Sequence, residues 1–317
     1  MSLPTYDQLP IDAKYPDKTA WGVWGDDDNL GTLNKITDEI TVNAAKCVKK
    51  GKAFPLNWEL EKPQPTMFSR PSITHNFHPI LGGLANDDSY DNFNPQSSSQ
   101  WDGLCHVAHL SSGKFYNNVD PTEIGENGKG RLGIHHMARK GVATRAVLLD
   151  FGRWAKKNRP DFDPFARVEV TVEELELVAK AQNVTFQKGD VLLVRFGWTE
   201  KYEALGEKVK EAIPDPNSPV ACGIKACPET FAWIWNNHFS AVAGDNPAFE
   251  VFPPTDWNTS CHQFLLGAIG SPIGEMFFLE ALADDCAKDN VYEFFFTSAP
   301  LNKFKGVATP PNALCVK

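Results

Sequence analysis

The sequence predicts an α/β fold. Two apolar runs of strand length, at 146–151 and 191–196, are separated by a segment with the start signal of a helix, and such alternation is typical of layered α/β proteins. Of the 317 residues, 42% are apolar, which is enough to bury a large core. We therefore predict a single domain over residues 1–317.

The first half of the chain contains one clear helix and one clear strand. A helix is predicted over 38–50, because Thr37 can cap its first turn and Gly51 follows its end. The run AVLLDF at 146–151 predicts a buried strand. The region 61–100 is rich in Pro, Asn, Asp and Ser, so it is predicted to be an ordered loop.

The second half alternates more regularly. Thr171 and Glu174 form a capping-box pattern, which predicts a helix to about Gln182. Strands are predicted at 191–196, 240–243 and 292–297, a helix from Pro228 to 235, and an ordered loop at 202–222. Periodicity does not decide between strand and helix for 275–282.

Charge and cysteine usage exclude several classes of function. The net charge is −9, the pI is about 5.4, and Lys and Arg never run together for more than a pair, so a nucleic-acid partner is not expected. There is neither a basic segment followed by an apolar one at the N-terminus nor a long uncharged apolar stretch. The seven cysteines form no C-x-x-C pair, which is typical of reduced thiols. We expect a cytoplasmic protein that acts on a small molecule, with no membrane partner.

The histidines are clustered. Six of the eight fall in three close pairs. Two of these pairs have i, i+3 spacing and share a face only in a helix or turn. A structural role explains each pair as well as a functional one does: one histidine would bond to the backbone, and the other would be exposed. The pairs are His75 with His78, His106 with His109, and His135 with His136.

The segment QSSSQWDGLCHVAH at 96–109 collects groups that can perform chemistry. Asp102 lies between Trp101 and a glycine and four residues before His106, among groups able to bind a hard cation, hold a carbonyl or move protons. The Asp-Gly pair is also a common turn. Trp101 is expected in the core or in a pocket wall.

This segment resembles the signature of the cyclase family, whose better-known members are bacterial kynurenine formamidases and isatin hydrolases. The family signature reads His-x-Gly-Thr-His-x-Asp-x-Pro-x-His. Here residues 96–106 match it at Asp102 and His106, while Gln96 and Gln100 stand where the family has its first two histidines.

Other segments extend the resemblance over roughly residues 20–310. The segments at 24–34, 189–198 and 298–301 are similar to the family's opening segment, central strand and C-terminal part. His262 and Glu275 match a ligand histidine and a ligand glutamate that follows it by about a dozen residues. The resemblance implies the family's fold, a swivelling β/β/α domain, and a homo-oligomer.

The resemblance also implies a metal site with an altered ligand set. Asp102, His262 and Glu275 would hold a divalent ion, and Gln100 could add a carbonyl oxygen. Because a carboxamide oxygen is a weak, hard ligand, Mn²⁺ or Mg²⁺ is expected rather than Zn²⁺. His106 matches the family's catalytic histidine.

The first functional hypothesis is a metal-assisted hydrolase of a small cyclic or formylated amide or of a lactone, an amidohydrolase acting on C–N bonds other than peptide bonds. The ion would polarise the carbonyl and activate water. His106 would take the proton from water and deliver it to the leaving group. Trp101 and the aromatic-rich loops would form the walls of the pocket.

The loss of two ligand histidines motivates a second hypothesis. The protein could be a metal-free cyclase or dehydratase in which His106 works with His109 or Asp102, or it could be a small-molecule-binding protein on the same fold. A nucleophilic Cys105 beside His106 is a third and weaker interpretation. The sequence assigns no role to His75, His78, His135 or His136.

Overall fold

The computed structural model describes residues 3–317. In these residues the strands are β1 (Ala53–Pro55), β2 (Thr74–Ile80), β3 (Ala85–Asp91), β4 (Gln100–Asp102), β5 (Val142–Leu149), β6 (Glu169–Val170), β7 (Val191–Val194), β8 (Gly223–Ile224), β9 (Ala241–Gly244), β10 (Ile273–Glu275), β11 (Glu293–Ser298), β12 (Ala308–Thr309) and β13 (Ala313–Val316). The α-helices are α1 (Asp38–Ala45), α2 (His135–Lys140), α3 (Phe151–Asn158), α4 (Val172–Ala181), α5 (Trp198–Leu205), α6 (Val209–Ala212), α7 (Pro228–Asn236) and α8 (Glu280–Asp289).

Nine strands form one mixed sheet in the order β1-β13-β11-β5-β7-β9-β10-β4-β12. Its central strands β5, β7, β9 and β10 run parallel, and the outer neighbours pair antiparallel. Strands β4 and β10 are adjacent near one edge of the sheet. The predicted α/β class is confirmed.

The central strands are buried on both faces, which explains their continuous apolar runs. In β5, Val147 and Leu149 pack into one hydrophobic cluster, while Ala146 and Leu148 pack into another on the opposite face. All four side chains are fully buried. A strand covered on both sides needs no polar face, so its sequence shows no alternation.

The helix signals place the helix starts correctly. The hydroxyl of Thr37 accepts a hydrogen bond of 3.3 Å from the amide of Ile40, and Thr171 and Glu174 form the predicted capping box of α4. The prediction that the first helix continues to residue 50 is wrong, because α1 ends at Ala45. The amides of Lys50 and Lys52 instead donate to the carbonyl of Lys317 beside β13.

Most predicted strands are present, with shifted ends. Strand β5 begins at Val142 and stops at Leu149, because the carboxylate of Asp150 caps the first turn of α3 by accepting from the amide of Arg153 at 3.1 Å. The ambiguous segment 275–282 contains both predicted types. It begins with the last residue of β10 and ends inside α8.

The two predicted loops contain regular structure. Residues 61–100 include a hairpin formed by β2 and β3, paired from Thr74 opposite Asp91 to Ile80 opposite Ala85. Residues 202–222 include the end of α5 and all of α6. The loop predictions are wrong there because Asn, Asp, Gly and Pro are typical of loops yet also occur in exposed hairpins.

No helix among residues 3–317 combines the length and the apolar character that crossing a bilayer requires. The sheet draws its strands from residues 53 to 316. The division of the chain into a single domain stays a prediction.

Candidate active site

Two short strands carry three of the predicted site residues. Strands β4 and β10 pair antiparallel, with Gln100 opposite Glu275 and Asp102 opposite Ile273. Because successive side chains on a strand point to opposite faces, Gln100 and Asp102 share one face with Glu275. The three side chains are almost fully buried. Gly274 permits this close packing, since a Cβ there would lie 2.4 Å from that of Ala243.

The same alternation decides between the two expectations for Trp101, the core and a pocket wall. Its side chain lies on the other face of β4, fully buried, with Phe277 and Phe296 in edge-to-face contact. Its indole nitrogen donates to Ser298 Oγ at 3.0 Å. Trp101 is therefore a core residue and not a wall of the site.

His262 is fixed by a glutamate that the sequence did not reveal. Its Nδ1 lies 2.6 Å from Oε1 of Glu250, and the Glu250 carboxylate also accepts from the amides of Cys261 and His262. A π-helical turn follows at Gln263–Ala268. With Nδ1 donating to Glu250, the other ring nitrogen faces the carboxylates of β4 and β10.

Four predicted residues meet at this point. His262 Nε2 lies 3.1 Å from Glu275 Oε1 and 3.8 Å from Asp102 Oδ2, and His106 Nε2 lies 3.7 Å from the same Asp102 oxygen. Among the described residues, ligand atoms of Asp102, His106 and His262 all lie within 4.8 Å of one another. The structure thus brings together residues that are up to 173 positions apart in the chain, from Asp102 to Glu275.

The two glutamines that replace histidines hold the aspartate. Gln96 Nε2 donates to Asp102 Oδ1 at 2.7 Å, and Gln100 Nε2 lies 3.3 Å from the same oxygen and 2.7 Å from Glu275 Oε2. These amides bond to one oxygen of each carboxylate, and the other oxygen of each carboxylate faces His262 Nε2. Gln100 presents its nitrogen to the cluster, so its role as an oxygen ligand would need a flipped amide and stays a prediction.

Arg70 explains the orientation of Gln100. Its Nη1 donates to the carbonyl oxygen of Gln96 and lies 3.3 Å from Oε1 of Gln100. Its positive charge makes a small contribution that opposes the burial-driven rise in the pKa of Glu275 and adds to the burial-driven fall in the pKa of His106. No sequence pattern singles out Arg70, which follows an irregular segment.

The donor set fits a divalent cation. Asp102 Oδ2 is buried and has no hydrogen-bond partner, which is costly unless another group compensates it, and the buried Glu275 Oε1 has only the contact with His262 Nε2 at 3.1 Å. Both oxygens face His262 Nε2. Two carboxylate oxygens and an imidazole nitrogen form a set that can hold such an ion with open positions.

The proton affinities reflect crowded negative charge. Burial, followed by the charge of Asp102, raises the pKa of Glu275 to about 7. Burial alone would lower the pKa of His262, but the carboxylates of Glu250 and Glu275 outweigh it and raise that pKa well above its usual value. A bound cation would relieve the same excess of negative charge.

His106 differs from the other members of the cluster. Its side chain is 26% exposed, compared with 1% for Asp102, 3% for Glu275 and 8% for His262. Burial lowers its pKa, although Asp102 acts in the opposite direction, so the imidazole is neutral near pH 7. It is the member of the cluster that a substrate can reach most easily.

The remaining candidates lie apart from the cluster. Cys105 is buried against the carbonyl of Gly306 at 3.7 Å, and burial raises the pKa of its thiol to about 11, which argues against a nucleophile. His109 contacts Trp21 edge to face. The other histidine pairs lie in the hairpin, at His75 and His78, and at the start of α2, at His135 and His136.

A family model described as "Putative cyclase" matches residues 35–251, which is more than half of the chain. The protein belongs to this cyclase family. A search of curated proteins finds no match.

Solved structures share the fold over most of the chain. A crystal structure described as a novel cyclase is 30% identical, with a TM-score of 0.83, and the match covers 94% of this chain and 99% of that one. Isatin hydrolase A from Labrenzia aggregata, bound to benzyl benzoate, has 13% identity and a TM-score of 0.60 over 90% and 98% of the two chains. Isatin hydrolase A from Ralstonia solanacearum has 14% identity and the same TM-score over 89% and 98%. The predicted cyclase-family fold is confirmed.

Proposed function

We propose that the protein is a metal-assisted hydrolase of a small cyclic or formylated amide or of a lactone. The observation that carries this proposal is the convergence of two buried carboxylate oxygens, Asp102 Oδ2 and Glu275 Oε1, on His262 Nε2, where Asp102 Oδ2 has no hydrogen-bond partner. Membership of the cyclase family and the fold shared with isatin hydrolases agree with it. The enzyme class and the substrate are part of the proposal.

Asp102, His262 and Glu275 would hold the ion. Because two of these three ligands are carboxylates, the site is expected to bind Mn²⁺ in preference to Zn²⁺. A divalent ion supplies Lewis acidity to a substrate carbonyl and lowers the pKa of water. Glu250 fixes the ring of His262 so that Nε2 faces the site. Gln96 and Gln100 fix the carboxylate of Asp102 in the same way.

His106 would move the proton. As water attacks the carbonyl carbon, Nε2 of the neutral imidazole takes a proton from that water. When the C–N or C–O bond breaks, the same proton passes to the leaving nitrogen or oxygen. Such general acid–base catalysis contributes typically about 10²- to 10⁴-fold.

An activity assay tests the proposal. Chelated protein is reloaded with Mn²⁺, Mg²⁺ or Zn²⁺ and assayed on small cyclic amides, N-formyl amides and lactones. We expect ion-dependent hydrolysis, and we expect His106→Ala to lose about 10²- to 10⁴-fold in rate while retaining the ion. His136→Ala is the matched control, because His136 bonds to the carbonyl of Gly130 away from the cluster.

A metal-free acid–base site is the second candidate. The contact of 3.1 Å between His262 Nε2 and Glu275 Oε1 favours it, because the two groups could exchange a proton without an ion. In that case chelation would leave activity unchanged. Activity that survives complete removal of metal would overturn the hydrolase proposal.

A further inference from the structure

Arg70 is a cation without a counter-ion beside the candidate site. Five of the eight arginines form ion pairs with carboxylates, and Arg139 and Arg167 are exposed. Arg70 is the remaining one, and it is half-buried without an ion pair to any carboxylate among residues 3–317. A partly buried charge is costly unless an opposite charge compensates it. The guanidinium therefore indicates an anionic ligand.

The hydrogen bonds of this guanidinium use only one of its nitrogens. Nη1 donates to the backbone carbonyl of Gln96 and lies 3.3 Å from Oε1 of Gln100, while neither Nε nor Nη2 has an acceptor among the described residues. The centre of the Phe68 ring lies 4.9 Å from the guanidinium carbon and covers one face of the group. Because the N–H groups lie in the plane of the guanidinium, this contact does not occupy them. The edge formed by Nε and Nη2 thus keeps the two parallel donors that a carboxylate accepts.

A tight turn holds Arg70 in place. Phe68 and Ser69 have φ angles of 59° and 57°, a left-handed conformation that costs energy in residues other than glycine. The amide of Arg70 closes the turn by donating to the carbonyl of Met67 at 3.1 Å. The amide and the hydroxyl of Ser69 both donate to Oδ1 of Asn217 at 3.0 Å. A residue fixed in this way loses little freedom when it binds a ligand.

Gln96 and Gln100 connect Arg70 to the candidate site. The backbone carbonyl of Gln96 accepts from Arg70, and its side-chain Nε2 lies 3.4 Å from both ring nitrogens of His106. Gln100 spans the distance from Arg70 to Glu275, with Oε1 towards the first and Nε2 towards the second. A small substrate can therefore place an anionic group on Arg70 and a carbonyl beside His106 at the same time.

We propose that Arg70 binds a carboxylate of the substrate through its Nε–Nη2 edge, so that the site prefers amides or lactones with a carboxylate a few bonds from the carbonyl that is cleaved. The substrate preference rests on the proposed function, whereas binding of the carboxylate does not. A carboxylate fits better than a phosphate, because Asp102 and Glu275 nearby would repel a second negative charge. Arg70 is thus a specificity-determining residue.

Binding of benzoate and benzamide to chelated protein, measured by ligand-observed nuclear magnetic resonance, tests the proposal. The two probes share a ring and nearly the same shape but differ in charge. We expect wild-type protein to bind benzoate at least about tenfold more tightly, because a hydrogen bond between charged groups is stronger than one between a charged and a neutral group. With the metal removed, neither an ion nor hydrolysis contributes to the result.

Arg70→Met should lose about 10- to 100-fold in affinity for benzoate and much less in affinity for benzamide. Arg70→Lys keeps the charge but not the two parallel donors, so its affinity should lie between those of Arg70→Met and the wild type. Arg139→Met is the matched control, because it removes the same charge from an exposed position on α2. Retained binding of benzamide would show that the pocket keeps its shape, which a merely structural role of Arg70 does not predict.

Two results separate the anion site from the hydrolase activity. Benzoate binding that depends on Arg70, in a protein that hydrolyses no amide or lactone, would support the anion site and overturn the hydrolase. Hydrolysis that does not distinguish substrates with a carboxylate from those without one would support the hydrolase and overturn the proposal for Arg70.

Equal affinities of wild type and Arg70→Met for benzoate would also overturn the proposal. So would an equal loss in Arg139→Met, because net charge alone would then attract the anion. If Arg70→Met does not fold by circular dichroism, the comparison of wild type with Arg70→Lys decides, and equal affinities of these two proteins for benzoate would contradict a paired contact.

Discussion

The hairpin β2–β3 and the site strand β4 are close in sequence but lie in opposite surroundings. The hairpin ends at Asp91 and exposes leucine, phenylalanine and tyrosine to solvent. Strand β4 begins at Gln100 and buries an amide and a carboxylate. In each region the polarity of the side chains is the reverse of what the surroundings favour.

The two reversals differ in what they cost. Asp102 Oδ2 is buried without a hydrogen-bond partner, and a bound cation would compensate this oxygen. The exposed Leu81 and Leu84 leave apolar surface in contact with water. The first region therefore marks the candidate site, whereas the second is a feature of the surface.

The largest contrast is expected in stability. Trp101→Ala removes a fully buried indole from the core behind β4 and should cost about 3–5 kcal/mol. Phe77→Ala removes a ring that is 67% exposed and should change the free energy of unfolding by no more than about 0.5 kcal/mol. Urea denaturation followed by circular dichroism measures both. Equal costs for the two variants would remove the contrast between the regions.

A smaller effect is expected beside the site. Glu250→Gln keeps the shape of the side chain but removes the charge that fixes His262, so the affinity for Mn²⁺ should fall by about 10- to 100-fold. Isothermal titration measures this change. Glu211→Gln on the exposed surface of α6 is the control. An unchanged affinity in Glu250→Gln would show that the contact at 2.6 Å is only structural.

The sequence predicted the parts of the fold that depend on local signals. Strands β5 and β7 are buried on both faces, so their apolar runs are continuous and recognisable. The capping box at Thr171 needs only residues within one turn. The hairpin was missed because its Asn, Asp and Gly residues have the composition of a loop.

Only those site residues that match a family motif could be predicted from the sequence. Asp102, His106, His262 and Glu275 were found through resemblance, and the structure brings them together. No sequence spacing pairs Glu250 with His262, because their contact depends on how the residues between them fold. The sequence left Trp101 between the core and a pocket wall, because a strand of three residues is too short to show alternation.

The central claim is that Asp102 and its neighbours hold a divalent ion, and titration of Mn²⁺ followed by electron paramagnetic resonance tests it most directly. The free ion gives a strong signal that disappears on binding. Wild-type protein should take up about one ion per chain. Asp102→Asn should bind the ion at least about 100-fold more weakly, since the loss of a ligand should weaken binding at least as much as the loss of a residue that only positions a ligand. A wild type that leaves the signal of free Mn²⁺ unchanged, or an Asp102→Asn variant that binds as tightly, would contradict the account.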